Sequence, residues 1–218
     1  MSAIAVIDFE TTGISPGMGD RATEVAIVLL DNGQVVDRFQ SLMNAGLRVN
    51  SFITQLTGIT NEMVQAAPPA EQVMREAARF VAGRPMVAHN AAFDRKFWQA
   101  ELARCGQDGA HPFACTLLLS RRLYPQAPNH KLGTLAALHH LPSSGRAHRA
   151  LADAEVAAAL LAQIQHDLQT RHGCAAADHA LLMGLQRCTR LSWPAFLRAQ
   201  AVGRSSPRAD AAVKMPSP

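Results

Sequence analysis

Residues 3–13, AIAVIDFETTG, constrain this chain more than any other stretch. They read as an apolar strand that ends in two carboxylates, Asp8 and Glu10. Side chains on a strand alternate faces, so Asp8 and Glu10 project together while Ile7 and Phe9 face the opposite layer. Two acids held side by side repel unless something cationic lies between them. Hard oxygen donors of this kind suit Mg²⁺ or Mn²⁺. Alone, such a pair more often marks a strand end with two solvated acids, and the rest of the chain has to decide.

The 218 residues suffice for one domain with an appendage and a sizeable core. With 48% hydrophobic and 5% aromatic residues the composition is that of a soluble globule rich in alanine and leucine. No apolar run approaches the ~20 residues of a membrane span, so no membrane is expected. The first residues have no basic segment or cleavage site, and their apolar run stops at Asp8, which does not read as a signal peptide. Cys105, Cys115, Cys174 and Cys188 lack metal or redox spacing, so free thiols in a reducing, cytoplasmic setting are expected. The net charge of +4 is uneven: residues 171–218 carry +5 and residues 1–170 carry −1. A basic tail of this kind can attract phosphates without regard to sequence.

Taken in order, the chain alternates strand and helix signals. Ala22–Leu30 and Gln34–Met43 read as strands joined at Asn32-Gly33, a strong hairpin signal. Short helical pieces are expected over Ser51–Leu56 and Asn61–Gln65, and a longer helix over Pro69–Ala82. Pro85–His89 reads as a short buried strand, followed by a helix from Ala91 to Cys105. Helices are then expected over Thr116–Leu123, Leu132–Leu141 and Ala147–Thr170, and shorter ones over Asp178–Arg190 and Trp193–Ala201. This organisation gives a domain over 1–170, a helical extension over 171–204 and a Ser/Pro-rich, disordered tail over 205–218.

Two further acids stand out. Asp94 opens the helix after the buried strand, where backbone N–H groups lower the cost of an anion. Asp153 lies in the first turns of the long helix, five residues after His148. If both were helical, their side chains would diverge by roughly 140°, which makes them poor co-ligands of one ion. His148 is therefore better placed on the approach to the helix, over the site, as a general base.

Asp8-Phe9-Glu10-Thr11-Thr12-Gly13, His89-Asn90-Ala91-Ala92-Phe93-Asp94 and His148-Arg149-Ala150-Leu151-Ala152-Asp153 resemble, in order, the three motifs of the DnaQ-like DEDDh 3′–5′ exonucleases. That family includes the proofreading subunit of bacterial DNA polymerase III. The resemblance covers residues 3–170 and implies an α/β, RNase H-like fold with a mixed five-stranded central sheet flanked by helices. It also implies that Asp8, Glu10, Asp94 and Asp153 hold two Mg²⁺ or Mn²⁺ ions, with His148 as the base that deprotonates water. Thr11, Thr12, Leu56, Thr57, Ile59 and Phe93 would contact the terminal nucleotide. For Leu56, Ile59 and Phe93, plain core packing is the competing reading. The implied partner is nucleic acid, a single-stranded or frayed DNA 3′ end, with replication or repair proteins reached through the C-terminal extension.

Other readings compete. A phosphatase with D-x-D-x-T after its first strand would need an acid other than Glu10 and a later Lys beside an acidic pair, which Lys96 and Lys131 do not supply. An RNA-trimming member of the same family keeps the fold and changes the substrate. A non-catalytic binding module would be expected to have lost one of the five polar positions. His89 is expected to be a satisfied core histidine, Glu24 a structural hydrogen-bonding residue, and Trp98 a packing residue.

Overall fold

A computed structural model describes residues 3–142, 145 and 147–202. The tail expected to be disordered, 205–218, lies outside the described residues. Among the described residues the strands are β1 (Ile4–Thr11), β2 (Ala22–Asp31), β3 (Gln34–Leu42), β4 (Met86–Ala88) and β5 (Phe113–Cys115). They form one sheet in the order β3-β2-β1-β4-β5. β2 runs antiparallel to β1 and β3, while β4 and β5 continue parallel to β1, so the sheet is mixed. The helices are α1 (Ser51–Thr57), α2 (Asn61–Ala66), α3 (Ala70–Val81), α4 (Ala92–Arg104), α5 (Thr116–Leu123), α6 (Leu132–Leu138), α7 (Ala150–Thr170), α8 (His179–Arg187) and α9 (Trp193–Val202).

Period-two alternation in β1 splits the core in two. Ile4 and Val6 pack with Val28, Leu161, Ile164 and Leu185 on the face covered by α5, α7 and α8. Ala5, Ile7 and Phe9 pack with Val73, Ala77, Phe97 and Trp98 on the face covered by α3 and α4. Asp8 and Glu10 have the parity of Ile4 and Val6, so they emerge on the α7 face. The hairpin forms as expected, with Asn32 and Gly33 both at positive φ.

β5 was not legible as a strand. Its three residues are fully covered, and as an edge strand it lacks a neighbouring chain. Gln186 of α8 takes that place. Its side-chain oxygen accepts from the Cys115 N–H at 2.7 Å, and its amide nitrogen donates to the Phe113 carbonyl at 3.1 Å. A side-chain amide thereby copies one peptide of an absent strand, and α8 covers an edge that would otherwise be open to pairing. Leu182 and Leu185 of α8 are wholly buried in the α7-side core. No helix among the described residues is long and apolar enough to cross a membrane.

Candidate active site

β1 and β4 are parallel but unequal in length, and the site lies beyond the end of the shorter one. The Ala5 N–H donates to the Pro85 carbonyl at 2.9 Å, and pairing with β4 covers only Ala5 and Val6. Further along the same edge, the Phe9 N–H has run past β4. It donates instead to Oδ1 of Asp94, at 3.3 Å, from the first turn of α4. Asp94, only 2% exposed, is thus drawn to the β1 edge although its helix covers the other face. In open α/β sheets, ligands bind just outside the carboxyl ends of parallel strands.

From the α7 face come Asp153 and His148. The long helix begins at Ala150, three residues later than its periodicity suggests. The delay has a cause in Glu24, which is wholly buried and sits directly across from Glu10 on β2. Like charges facing each other across strands destabilise a sheet. Arg149 relieves the clash with a two-pronged contact to Glu24 (2.8 and 3.1 Å), and the Ala150 N–H donates to the same carboxylate at 3.1 Å. Arg149 is held extended by this pairing, and His148 before it takes a left-handed backbone, φ 60°. The His148 N–H then donates to Oδ2 of Asp153 at 3.1 Å. One ligand atom each of Glu10, His148 and Asp153 lies within 4.8 Å of the others. His148 is on the approach segment, over the acids, as the helical geometry required.

The electrostatics of the cluster are strained. Burial pushes Glu10 up to about 8, and Asp153, Glu24 and Asp94 add to the shift against a small opposing effect of Arg149. Burial likewise raises Asp94 to about 8, despite backbone hydrogen bonds that favour its charge. Asp8 is raised well above the carboxylate range by burial and then by Asp94, Glu10, Asp153 and Glu24. Asp153 is raised by burial, with the His148 N–H pulling the other way. Glu24 behaves oppositely: burial would raise it, but Arg149, the Ala150 N–H and Gln40 outweigh burial and hold it below the usual range. So Glu24 is a satisfied structural acid, whereas the four motif acids form a repelling group of hard oxygen donors. That donor set fits divalent Mg²⁺ or Mn²⁺.

The loop after β1 is braced from two sides. The Asp20 carboxylate accepts from the Ser15 N–H at 2.9 Å, and a Cβ at Gly13 would lie only 2.4 Å from it. A larger residue at position 13 would have to displace the Asp20 carboxylate from the Ser15 N–H. Arg21 makes a bidentate pair with buried Glu101 of α4, at 2.9 and 2.8 Å. Neither partner is recognisable from sequence, since 80 residues separate them.

The residues expected at the terminal nucleotide divide by exposure. Thr11 is buried and donates to the Gly13 carbonyl. Thr12 accepts from the Arg21 N–H at 3.0 Å. Thr57 donates to the Ile53 carbonyl and accepts from the Ile59 N–H, and Ile59 is packed with Val49 and Val64. Phe93 is partly buried against Phe97, ring centroids 5.0 Å apart. Leu56 is the apolar member left open, 38% exposed. His89 is a half-buried histidine at the wall of the active-site cleft with both ring nitrogens satisfied: Nε2 donates to the His130 carbonyl at 3.0 Å, which leaves Nδ1 to accept from Thr116 at 2.9 Å. Burial lowers its pKa to about 4. Trp98 is fully buried, its indole N–H on His111 at 3.1 Å.

Against known proteins, residues 5–161 match the RNase_T model, described as exonuclease. The chain is 38% identical over 170 residues to the PolC-type DNA polymerase III of Caldanaerobacter subterraneus subsp. tengcongensis, covering 75% of this chain and 12% of that protein. It is also 38% identical over 165 residues to the 3′-5′ exonuclease DinG of Bacillus subtilis, covering 75% of this chain and 18% of the other. The chain thus spans less than a fifth of the length of either relative. Among solved structures, exonuclease X in complex with 5′-overhanging duplex DNA superposes with a TM-score of 0.65 at 27% identity, over 83% of this chain and 99% of that one. A nuclease domain of 3′hExo, a DEDDh family member, has the same fold, with a TM-score of 0.65 at 20% identity over 76% of this chain and 92% of that one. The mixed sheet and the order of its motifs agree with these matches, and the chain belongs to the RNase_T exonuclease family, with an RNase H-like fold of the DEDDh type.

Proposed function

We propose that this chain is a metal-dependent 3′–5′ exonuclease that releases nucleoside 5′-monophosphates from DNA 3′ ends. The observation that carries the reading is that one ligand atom each of Glu10, His148 and Asp153 lies within 4.8 Å of the others, with Asp94 held at the β1 edge by the Phe9 N–H and Asp8 repelled by Asp94, Glu10 and Asp153. Those four acids would hold two Mg²⁺ or Mn²⁺ ions. Two such cations, when bound, supply positive charge to both the attacking and the leaving oxygen of an in-line displacement. His148 takes the proton of the attacking water as the oxygen–phosphorus bond forms. The bond from phosphorus to the 3′ oxygen of the preceding nucleotide breaks, and that oxygen leaves with the shortened strand. Leu56, with Thr12 and Phe93, offers the accessible contacts to the terminal nucleotide, while the buried Thr11, Thr57 and Ile59 pack behind that wall and do not touch the base. Apolar contact of this sort tolerates any base.

The choice of DNA is supported by the name of one relative, a DNA polymerase, and by the DNA held by exonuclease X. On this reading the enzyme works in the cytoplasm, and residues 171–202 offer the surface for replication or repair partners. The test is digestion of 3′- and 5′-labelled single-stranded DNA, mispaired duplex and RNA, each with Mg²⁺ and with EDTA. Stepwise shortening of DNA from the 3′ end, abolished by EDTA, is expected. Faster trimming of RNA would reassign the substrate, and absence of mononucleotide release from every strand would remove the reading.

A further inference from the structure

Where β1 and β2 part, their pairing slips. Glu10 faces Glu24, but the next residue of β1, Thr11, faces Ala22, so Thr23 is an extra residue on β2. Its side-chain oxygen is buried without a hydrogen-bond partner. A bulge of this kind re-aims the side chains next to it. Beyond it, Thr12 and Arg21 are held by bonds of their own. The Thr12 N–H donates to the Arg21 carbonyl at 2.9 Å, and the Arg21 N–H donates to the Thr12 hydroxyl at 3.0 Å. The proton of that hydroxyl is shared with Asp20 at 3.5 Å, the long limit of a hydrogen bond, which leaves it for an oxygen of the terminal nucleotide.

Arg21 is in turn fixed by α4. Oε1 of Glu101 accepts from Arg21 Nε at 2.9 Å and from the Ala22 N–H at 3.1 Å, while Oε2 accepts from a second guanidinium nitrogen at 2.8 Å. The third nitrogen donates to the Ala45 carbonyl at 3.2 Å, and Glu71 lies 3.9 Å away. The Arg21 side chain is 11% exposed and that of Glu101 1%, so water and salt do little to loosen the pair. Glu101 follows Asp94 by seven residues, which on a helix brings the two within about 20° of one line and ~10.5 Å apart along the axis. One face of α4 thus fastens β1 through Asp94 and the Phe9 N–H, and the start of β2 through Glu101. The helix spaces a metal-site acid from the neck of the loop where Thr12 stands.

We propose that Arg21 and Glu101 are positioning residues for substrate binding, through which α4 sets where the Thr12 hydroxyl meets the terminal nucleotide. The proposal rests on the nuclease reading and deepens it. The hydrogen bonds of the pair run to each other and to backbone, and none goes to Asp8, Glu10, Asp94 or Asp153 among the described residues. Its effect therefore falls on the grip of the 3′ end and passes through Thr12, leaving the metal site alone.

The test is a double-mutant cycle on the full chain with Arg21→Lys, Thr12→Val and both together. The readout is equilibrium binding of a 5′-fluorescent tetrathymidylate, with Ca²⁺ in place of Mg²⁺. Lysine keeps the charge but cannot bridge both oxygens of Glu101, and valine keeps the shape of threonine without its hydroxyl. Each single variant is expected to weaken binding about fivefold, as for the loss of one hydrogen bond. The double variant is expected to bind within about twofold of Thr12→Val, since residues that act through one contact are not additive. Mn²⁺ affinity of Arg21→Lys, by calorimetry, is expected to stay within about twofold of the parent. Losses that multiply to about 25-fold in the double variant would overturn the proposal, because Arg21 would then act elsewhere than through Thr12. Unchanged binding by Arg21→Lys, or a matching loss of Mn²⁺ affinity, would overturn it as well. Melting curves check folding, and Glu101→Gln, which keeps an acceptor for the Ala22 N–H, is taken through the same cycle with the same expected outcome. A parent chain that binds the tetramer but releases no mononucleotide with Mg²⁺ would sink the nuclease reading, while the binding cycle still decides the role of the pair.

Discussion

At the scale of single residues, His148 and Arg149 are neighbours with separate tasks. His148 is the base in the proposed reaction, and His148→Ala should lower kcat by about 10²–10⁴ while leaving metal affinity within a few-fold. Calorimetric titration with Mn²⁺ alongside the rate distinguishes this from ligation, since a matching loss of metal binding would make His148 a ligand. Arg149 makes no such contact and acts through Glu24. Arg149→Met leaves a carboxylate buried at 0% exposure without its counter-charge. Breaking a buried pair by removing one partner costs about 3–5 kcal/mol, whereas replacing both partners is far milder. Urea unfolding should therefore show Arg149→Met to be badly destabilised and Glu24→Gln/Arg149→Met to recover much of the loss. Equal stability of the two variants would show that the pair does not work in this way.

At the scale of elements, the site depends on strands that end at different places. β4 stops at Ala88 while β1 continues to Thr11, and the uncovered Phe9 N–H is what fixes Asp94. α7 begins late because Glu24 on β2 holds Arg149 extended, and that late start puts His148 off the helix axis. The edge of β5 shows the same economy, with Gln186 of α8 completing its hydrogen bonding. Gln186→Ala would leave the buried Cys115 N–H and Phe113 carbonyl unmatched. Each buried unsatisfied group costs about 1–3 kcal/mol, so a drop of at least 1 kcal/mol in unfolding free energy is expected. A variant as stable as the parent would show that α8 is no part of the sheet's support.

At the scale of the whole molecule, the cluster couples stability to pH and to metal. Glu10 and Asp94 titrate near 8 in the folded chain, against 4.5 and 3.8 when unperturbed. Between those limits the folded state holds protons that the unfolded chain has lost, so stability falls as pH rises. His89 works in the opposite direction: lowered to about 4 from 6.5, it loses stability as pH drops through that range. Above pH 6.5 only the acids remain, and in EDTA the melting temperature should fall from pH 6.5 to 8. Divalent metal binds the ionised acids of the folded state alone, and at a hundred times its Kd it adds about 2.7 kcal/mol. Mg²⁺ or Mn²⁺ should therefore raise the melting temperature more at pH 8 than at pH 6.5. A melting curve indifferent to EDTA at both pH values would count against the cluster as a metal site.

Much of this was legible before any coordinates. Strand alternation put Asp8 and Glu10 on one face, Asn32-Gly33 fixed the hairpin, and spacing separated His148 from Asp153. These are local properties, written in periods of two and 3.6 residues. The short strand β5, the Glu24–Arg149 pair and the Arg21–Glu101 brace were not legible, because their partners lie 70 or more residues away. Three residues of buried strand have no pattern of their own. Sequence alone put Asp8 and Glu10 on one face of β1 and Asp94 and Asp153 in the first turns of two helices. Only the tertiary structure decided how they meet, because that depends on where β4 ends, where α7 begins and which buried charge each distant partner neutralises.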